Sequence, residues 1–186
     1  DLTGATRTSV DCGYDLDAPD GLPGIFNNDF SFFFDFMSDG TFDADGHSTF
    51  IDSRDSDYLA GYLLMLDDGG STLRLQVDKG AATNDLKVTN VITQGIRHIA
   101  GFIKRNGQLI IVLDGVRVGS LSYQVGDWQQ DNNICAFMRR WYFSESGTSL
   151  DNFKGLLYAA AGFSRGVSDA EAIKITSDFY NQLTTP

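Results

Sequence analysis

The sequence has few of the residues that enzymes use most often for acid–base and nucleophilic catalysis. The scarce types occur twice each, as His47 and His98, Cys12 and Cys135, and Glu145 and Glu171. Retaining hydrolysis of polysaccharides needs two carboxyl groups about 5–5.5 Å apart, and neither glutamate lies in a paired-carboxylate motif. No glycine-flanked serine elbow is present to support a serine hydrolase. We therefore predict that the chain is not an enzyme.

The two cysteines and the two histidines each have a plain structural interpretation. Cys12 and Cys135 are far apart in sequence, and this spacing is compatible with a disulfide bridge and with two separate buried thiols. His47 lies in a polar loop, where we expect a solvated side chain rather than a ligand. His98 is expected to have a structural role in a strand. Because the cysteines are compatible with both a bridge and free thiols, they do not indicate whether the chain folds in an oxidising or a reducing compartment.

Positive charge is also scarce. The chain has 14 Lys and Arg residues and 25 Asp and Glu residues, which gives a net charge of −11. Binding to nucleic acid and attraction to an anionic membrane surface both depend on basic residues, so neither partner is expected. We expect no signal peptide, and the sequence has no apolar run of about 18 residues, the length that a membrane helix needs. We expect an extracellular, cell-surface or virion location without membrane insertion.

Proline and methionine are rare as well, with three of each, whereas there are 14 Phe, 7 Tyr and 20 Gly residues. Aromatic residues favour pleated surfaces and glycines serve the turns between strands. In 29–37, DFSFFFDFM, the residues Phe30, Phe32, Phe34 and Phe36 fall on one face of a strand. A row of four Phe without Trp or Tyr is typical of a core strand rather than of a ligand-stacking platform.

Strand patterns recur along the rest of the chain. They are Thr8–Gly13, Asp29–Met37, Ser48–Ser53, Tyr58–Leu66, Thr72–Val77, Leu86–Val91, His98–Lys104, Gln108–Leu113, Val116–Leu121, Ile134–Met138, Trp141–Ser144 and Gly155–Phe163. Asp67-Asp68-Gly69-Gly70 predicts one hairpin, and Asn106-Gly107 predicts another, since this dipeptide is the strongest short hairpin signal. Ser168 and Glu171 have the capping-box spacing and predict a helix to about Gln182.

Four segments in order resemble one superfamily. They read GYLLMLDDGGSTLRLQV (61–77), GIRHIAGFIK (95–104), GQLIIVLDGVRVG (107–119), and FKGLLYAAAGF followed by VSDAEA (153–163 and 167–172). This order is similar to the laminin G-like and pentraxin-like jelly rolls of the concanavalin A-like superfamily. In those domains a W-H-H-V-A segment stands where this chain has Arg97-His98-Ile99-Ala100, so the Trp and one His are missing.

The resemblance covers roughly Val10 to Ile173 and implies an all-β fold. We expect a two-sheet antiparallel jelly-roll sandwich with one short C-terminal helix, forming a single domain over 1–186 with its core at about 8–175. Polysaccharide hydrolases of this superfamily carry an E-x-D-x-x-E strand motif, which is absent. Jelly-roll alginate lyases use Q-I-H and Y-F-K-A-G motifs, and Trp141-Tyr142-Phe143-Ser144 echoes only the second of these. A lyase or hydrolase is therefore the least favoured function.

Acidic loops make Ca²⁺ the candidate cofactor. Members of the resembled family often hold one Ca²⁺ at the rim of the sandwich with Asp or Asn side chains and carbonyls. The predicted ligands are Asp43, Asp45, Asp55 and Asp57. The alternative is that these aspartates only form turns.

Two polar-aromatic segments are the candidate ligand-binding residues. The first is Trp128, Gln129, Gln130 and Asn132, where a Trp can stack on a sugar beside amides that bond its hydroxyls. The second is Arg139, Arg140, Trp141 and Tyr142, residue types that concentrate at protein-binding hot spots. In the alternative interpretation, Trp128 packs under its own loop and Trp141 lies in the core.

Two functions follow from these features. The first is a non-catalytic recognition module that binds a glycan on a cell-surface, secreted or virion protein. The second is a structural or decoration domain of a virion or surface appendage that docks on protein partners. Because residue 1 is Asp, we expect a processed product, a trimmed chain or a segment of a longer protein. The expected partner is thus a carbohydrate or a protein.

Overall fold

The computed structural model describes residues 10–11, 29–40, 46–52, 60–79, 82–123, 136–137 and 153–183. The strands are β1 (Val10–Asp11), β2 (Phe30–Ser38), β3 (Ser48–Asp52), β4 (Ala60–Asp67), β5 (Thr72–Lys79), β6 (Ala82–Val88), β7 (Arg97–Arg105), β8 (Gln108–Leu113), β9 (Val116–Ser122), β10 (Ala136–Phe137) and β11 (Gly155–Phe163). Within these ranges one helix, α1 (Asp169–Leu183), follows them. No helix among these residues is both long enough and apolar enough to cross a bilayer.

Within the described ranges the strands form two antiparallel sheets. Sheet A has the order β1-β10-β3-β4-β5-β6, and sheet B has the order β11-β2-β7-β8-β9. The inner faces of both sheets meet in one apolar core, and α1 packs on the outer face of sheet B against β7, β8 and β9. The outer face of sheet A is therefore the broad sheet face without this helix. The predicted sandwich with one C-terminal helix is confirmed.

The alternating Phe residues of β2 form the centre of the core, as predicted. Phe30, Phe34 and Phe36 have no exposed surface. The ring of Phe34 stacks on Phe50 of sheet A with 4.6 Å between centroids, and it meets Phe102 of β7 edge-on at 5.9 Å. The contact with Phe50 joins the two sheets across the sandwich, and the contact with Phe102 packs neighbouring strands of sheet B.

Two tight turns set the register of sheet B. Asn106 and Gly107 have φ of 48° and 73°, the left-handed pair of a type I′ hairpin, which joins β7 to β8 as predicted. Asp114 and Gly115 repeat the pattern with φ of 48° and 81° and join β8 to β9. Both turns place strands of one sheet next to each other along the chain.

The helix begins with the predicted capping box. The amide of Glu171 donates to the Ser168 hydroxyl at 3.2 Å, and the amide of Ser168 donates to the Glu171 carboxylate at 2.8 Å. Hydrogen bonds from Arg165 and then from Ser168 lower the pKa of Glu171 to about 2. The apolar face of α1 lies on Phe33 and its neighbours in a second, smaller core.

Some strand boundaries differ from the prediction. The strand expected at Leu86–Val91 runs from Ala82 to Val88, because its polar outward residues pair with β5 and Asn90 turns the chain with a φ of 57°. Of the strand expected at Ile134–Met138, the described residues Ala136–Phe137 form β10. The strand predicted at Trp141–Ser144 and both cysteines lie outside the described residues.

A lysine lies in the core, which the sequence pattern had not indicated. Lys104 of β7 is 4% exposed, and its ammonium donates to the Tyr62 hydroxyl at 3.4 Å. Burial lowers the pKa of Lys104 to about 8, and burial also raises the pKa of Tyr62. The folded state therefore loses the lysine proton at a lower pH than the unfolded chain does.

This difference predicts an unusual pH dependence. Between pH 8 and about 10 the unfolded chain binds more protons at Lys104 than the folded chain, so the free energy of unfolding should rise with pH. Above about pH 10 it should fall, because tyrosines ionise in the unfolded state while Tyr62 stays protonated in the fold. Urea unfolding at each pH measures this. The variant Lys104→Met should lose the rise between pH 8 and 10, and an equal slope in both proteins would contradict the assignment.

Candidate functional site

All the residues predicted from sequence to bind ligand or metal lie outside the described ranges. They are Trp128, Gln129, Gln130, Asn132, Arg139, Arg140, Trp141 and Tyr142 for ligand, and Asp43, Asp45, Asp55 and Asp57 for Ca²⁺. These assignments stay predictions. Within the described part of the chain, no three His, Cys, Asp or Glu side chains gather as a metal-binding group.

The outer face of sheet A holds the most concentrated polar cluster of the described residues. Its side chains come from alternate positions of neighbouring strands, since residues i and i+2 share a face. Arg74 of β5 is paired with Met65 of β4 on one side and with Lys87 of β6 on the other. Asp67 and Thr72 face each other at the adjoining hairpin. We call His47, Asp67, Arg74, Asp85 and Lys87 the Asp67 cluster.

Asp67 is the centre of this cluster. One carboxylate oxygen lies 3.0 Å from His47 Nε2 and accepts the Asp68 amide at 3.0 Å. The other lies 2.8 Å from Lys87 Nζ and 3.3 Å from Arg74 Nη1. Burial by itself would raise the pKa of Asp67, but bonds from Lys87 and the Asp68 amide, with the charges of Lys87 and Arg74, hold it below its ordinary value. Asp67 is therefore an ionised anchor for the surrounding cations.

Arg74 is oriented from two sides. Its Nε and Nη2 donate to the two oxygens of Asp85 at 2.8 and 2.9 Å, in the bidentate geometry that fixes a guanidinium plane. A third N–H, on Nη1, reaches Asp67. A guanidinium has five N–H donors, so two remain beyond these three bonds. Arg74 is thus held in place with donor capacity left.

The cluster lies at the accessible end of the sheet face. The side chain of Lys87 is 38% exposed and that of Asp85 is 28% exposed, whereas Leu63 and Asp52 further along the same face are buried. Lys87 engages Asp67 with one bond, and an ammonium has three donors. N–H donors of Lys87 and Arg74 are therefore available at the exposed end, and the ionised carboxylate of Asp67 holds both side chains in place.

Two buried hydroxyls lie beside the cluster. Thr49 and Thr72 are 0% and 1% exposed, and within the described part of the chain their hydroxyl oxygens have no hydrogen-bond partner. Buried hydroxyls are normally bonded, so each one without a partner calls for an explanation such as a ligand or an ordered water. Chemically, the face combines fixed donors, fixed carboxylates and hydroxyls, the groups that bond sugar hydroxyls and carboxylates.

The structure contradicts the prediction for one histidine and confirms the prediction for the other. His47 was expected to be a solvated loop residue, and this is wrong, because its side chain is 20% exposed and bonded to Asp67. His98 was expected to be structural, and this is confirmed. It is 7% exposed, with Nδ1 2.7 Å from Asp114 and Nε2 accepting the Thr93 amide at 3.1 Å.

Sequence reasoning missed the Asp67 cluster. The signal was available in part, because Arg74 and Gln76 alternate with the apolar Leu73, Leu75 and Val77 and so predict a polar outer face. The sequence pattern did not indicate that β5 pairs with β6. The predicted strand began at Leu86, so Asp85 fell outside it and Lys87 lay at its start, whereas β6 begins at Ala82.

No protein-family profile and no curated protein sequence matches the chain. Solved structures do match its fold. A CBM40 domain of the Ruminococcus gnavus IT-sialidase, solved with α2,3-sialyllactose, has a TM-score of 0.72 at 12% identity, over 92% of this chain and 93% of that one. A heptameric SAP-like pentraxin from Limulus polyphemus has a TM-score of 0.61 at 10% identity, over 81% of this chain and 70% of that one.

A third match is longer than this chain. The binding domain of Botulinum neurotoxin DC, solved in complex with SialylT, has a TM-score of 0.63 at 14% identity, over 87% of this chain and 37% of that one. Identities this low show the fold alone. The chain accordingly has the two-sheet jelly-roll sandwich that carbohydrate-binding domains and pentraxins share.

Proposed function

We propose that this chain is a non-catalytic carbohydrate-binding domain that recognises a sialylated glycan on the outer face of sheet A, at the Asp67 cluster. The observation that carries the proposal is the oriented pair of donors from Arg74 and Lys87 at the exposed end of the outer face of sheet A, on the side of the sandwich away from the helix. The similarity to the CBM40 domain solved with sialyllactose supports the ligand class. The fold supports a place among the laminin G-like and pentraxin-like jelly rolls.

The nitrogen donors of the cluster suit an acidic sugar. Asp67 and Asp85 match the charges of Lys87 and Arg74, so contacts with a carboxylate would come from the N–H groups that these pairs leave over. In a chain of net charge −11, Arg74 and Lys87 converge on one small area, with His47 beside them. Hydrogen bonds from charged donors to a carboxylate are about twice as strong as neutral ones. A sialyl carboxylate is thus expected to meet Lys87 and the further N–H groups of Arg74, while glycan hydroxyls approach Asp85.

The Trp128 segment is part of the same proposal. A carboxylate contact orients a sugar, and an aromatic ring adds stacking on its apolar face. The predicted stacking residue is Trp128, flanked by Gln129 and Gln130. Titration of Trp128→Ala with the same glycan measures its contribution, and a repeat with EDTA shows whether the predicted Ca²⁺ site takes part.

Titration of the purified chain with 3′-sialyllactose, and with lactose as the matched neutral ligand, tests the proposal. We expect sialyllactose to bind more tightly than lactose, and Lys87→Met to weaken sialyllactose about tenfold, or about 1.4 kcal/mol, without changing the fold. Lys87 is 38% exposed, so this variant is tolerated. Lys174→Met on α1 removes the same charge at an exposed position on the helix side and should leave the affinity unchanged. Equal affinities for the two ligands, or no effect of Lys87→Met, would overturn the assignment.

A further inference from the structure

A cleft lies on the side of the molecule opposite the Asp67 cluster, between α1 and the end of sheet B. It has a volume of about 390 Å³ and is lined by Ile96, Arg97, His98, Asp114, Thr176 and Ser177. We call it the helix-side cleft. Its size is within the range of small-ligand pockets, roughly 300–1,000 Å³. None of its lining residues belongs to the Asp67 cluster.

The carboxylate of Asp114 is held rigidly at the edge of this cleft. One of its oxygens accepts the Ile99 amide at 2.8 Å, and the other lies 2.7 Å from His98 Nδ1. Because His98 Nε2 accepts the Thr93 amide, the ring proton of the neutral imidazole sits on Nδ1 and points at Asp114. The Asp114 side chain is still 44% exposed, so a fixed acceptor with lone pairs left faces the solvent.

The helix side of the cleft also offers an acceptor. Ser177 donates its hydroxyl proton to the Ile173 carbonyl at 2.7 Å, which leaves its oxygen free to accept. The hydroxyl of Thr176 is not available to a ligand, because Thr176 is 1% exposed and its hydroxyl already donates to the Ala172 carbonyl and accepts the Gly115 amide, both at 2.9 Å. The polar groups available to a ligand on these two walls are therefore acceptors, which suit a ligand rich in O–H donors.

An aromatic ring stands beside the cleft in a fixed position. The guanidinium of Arg97 lies 4.2 Å from the centre of the Tyr158 ring. Arg97 is itself held by Asp35, which is 1% exposed and bonds Arg97 Nε at 2.7 Å. Tyr158 is nevertheless 45% exposed. A ring pinned from one side and open elsewhere is a rigid surface for stacking.

The cleft also has an exposed apolar side chain in its lining. The large hydrophobic side chains that are most exposed in the described residues are Ile96, Val116, Tyr158 and Ile173. Ile96 lines the helix-side cleft, Val116 follows the Asp114-Gly115 turn, and Ile173 accepts the bond from Ser177. Ile96 therefore adds an exposed apolar wall to the polar groups of the cleft, and small-ligand sites combine apolar lining with a few polar groups in this way.

We propose that the helix-side cleft is a second saccharide site, which takes a neutral, hydroxyl-rich sugar residue. The choice of ligand class rests on the proposed function. Fixed acceptors at Asp114 and Ser177 bond sugar hydroxyls, and Tyr158 with Ile96 covers the apolar face of the ring. The charge of Arg97 is matched by buried Asp35, so the carboxylate of Asp114 sets the local potential and disfavours an acidic sugar. The two faces of the sandwich thus hold two sites of different charge preference.

Nuclear magnetic resonance titration of the full chain with lactose tests this inference. At about 10 mM, ten times a Kd of about 1 mM, lactose should shift the amide resonances of Ile96–His98, Asp114–Gly115 and Ser177. Tyr158→Ala should abolish these shifts, since its exposed ring is deleted without opening the core. Lys87→Met should leave them unchanged, because it lies on the other face.

The outcomes separate this inference from the proposed function. Shifts around the helix-side cleft that are lost in Tyr158→Ala support the second site, whatever 3′-sialyllactose does at the Asp67 cluster. Lactose shifts confined to the hairpin at Asp67–Thr72, or no shifts at all, would overturn it. Sialyllactose shifts at Arg74 and Lys87 test the proposed function independently in the same sample.

Discussion

Replacing Arg97 with methionine is expected to lower the free energy of unfolding by about 3–5 kcal/mol. Two nitrogens of the Arg97 guanidinium donate to the carboxylate of Asp35. Asp35 is 1% exposed and lies on the face of β2 that is directed toward the helix. Removing the guanidinium leaves a buried carboxylate without its cation, and this is far more costly than losing an exposed ion pair. Urea unfolding of both proteins measures the difference.

A matched variant separates burial from charge. Arg117→Met makes the same chemical change at an arginine whose pair with Asp169 is about one third exposed on each side. It should cost less than about 1 kcal/mol. The double variant Asp35→Leu/Arg97→Met should recover much of the stability lost in Arg97→Met, because no buried charge is left behind. Equal losses in Arg97→Met and Arg117→Met would refute the importance of the buried pair.

Phe34→Ala is the second large effect we expect, with a loss of about 3–5 kcal/mol. The Phe34 ring is completely buried and touches Phe50 of sheet A and Phe102 of sheet B. Its removal deletes contacts across the sandwich and leaves a cavity that rigid strands on both sides cannot close. Differential scanning calorimetry or urea unfolding gives the magnitude.

The control for this prediction is an exposed apolar residue. Val116 is 60% exposed, and Val116→Ala should change the free energy of unfolding by no more than about 0.5 kcal/mol. A loss for Phe34→Ala as small as that for Val116→Ala would show that the Phe row of β2 does not form the central core.

The elements that the sequence predicted best are those whose cause is local. Alternation put Phe30, Phe34 and Phe36 on one face, and burial of that face follows from the hydrophobic effect. Asn106-Gly107 forms a type I′ turn because both positions adopt positive φ, which these two residues tolerate. Ser168 and Glu171 bond each other because their spacing allows it. None of these needs knowledge of distant residues.

The features that the sequence did not predict depend on pairing between distant strands. Asp67 and Lys87 are twenty positions apart in the chain, and only the β4-β5-β6 pairing brings them within 2.8 Å. Asp35 and Arg97 meet for the same reason across β2 and β7. Lys104 had the polarity of a surface residue, yet its register opposite Phe30 places it inside. The site predicted at Trp128 lies outside the described residues and stays a prediction.

The central claim is that the outer face of sheet A recognises a sialylated glycan. The most direct measurement is the difference in affinity of the full chain for 3′-sialyllactose and lactose, combined with the map of amide shifts for each ligand. The account predicts tighter binding of sialyllactose, with shifts at Asp67–Thr72, Arg74 and Lys87, and about a tenfold loss in Lys87→Met. Equal affinity for both ligands, or sialyllactose shifts confined to β11 and α1, would contradict it.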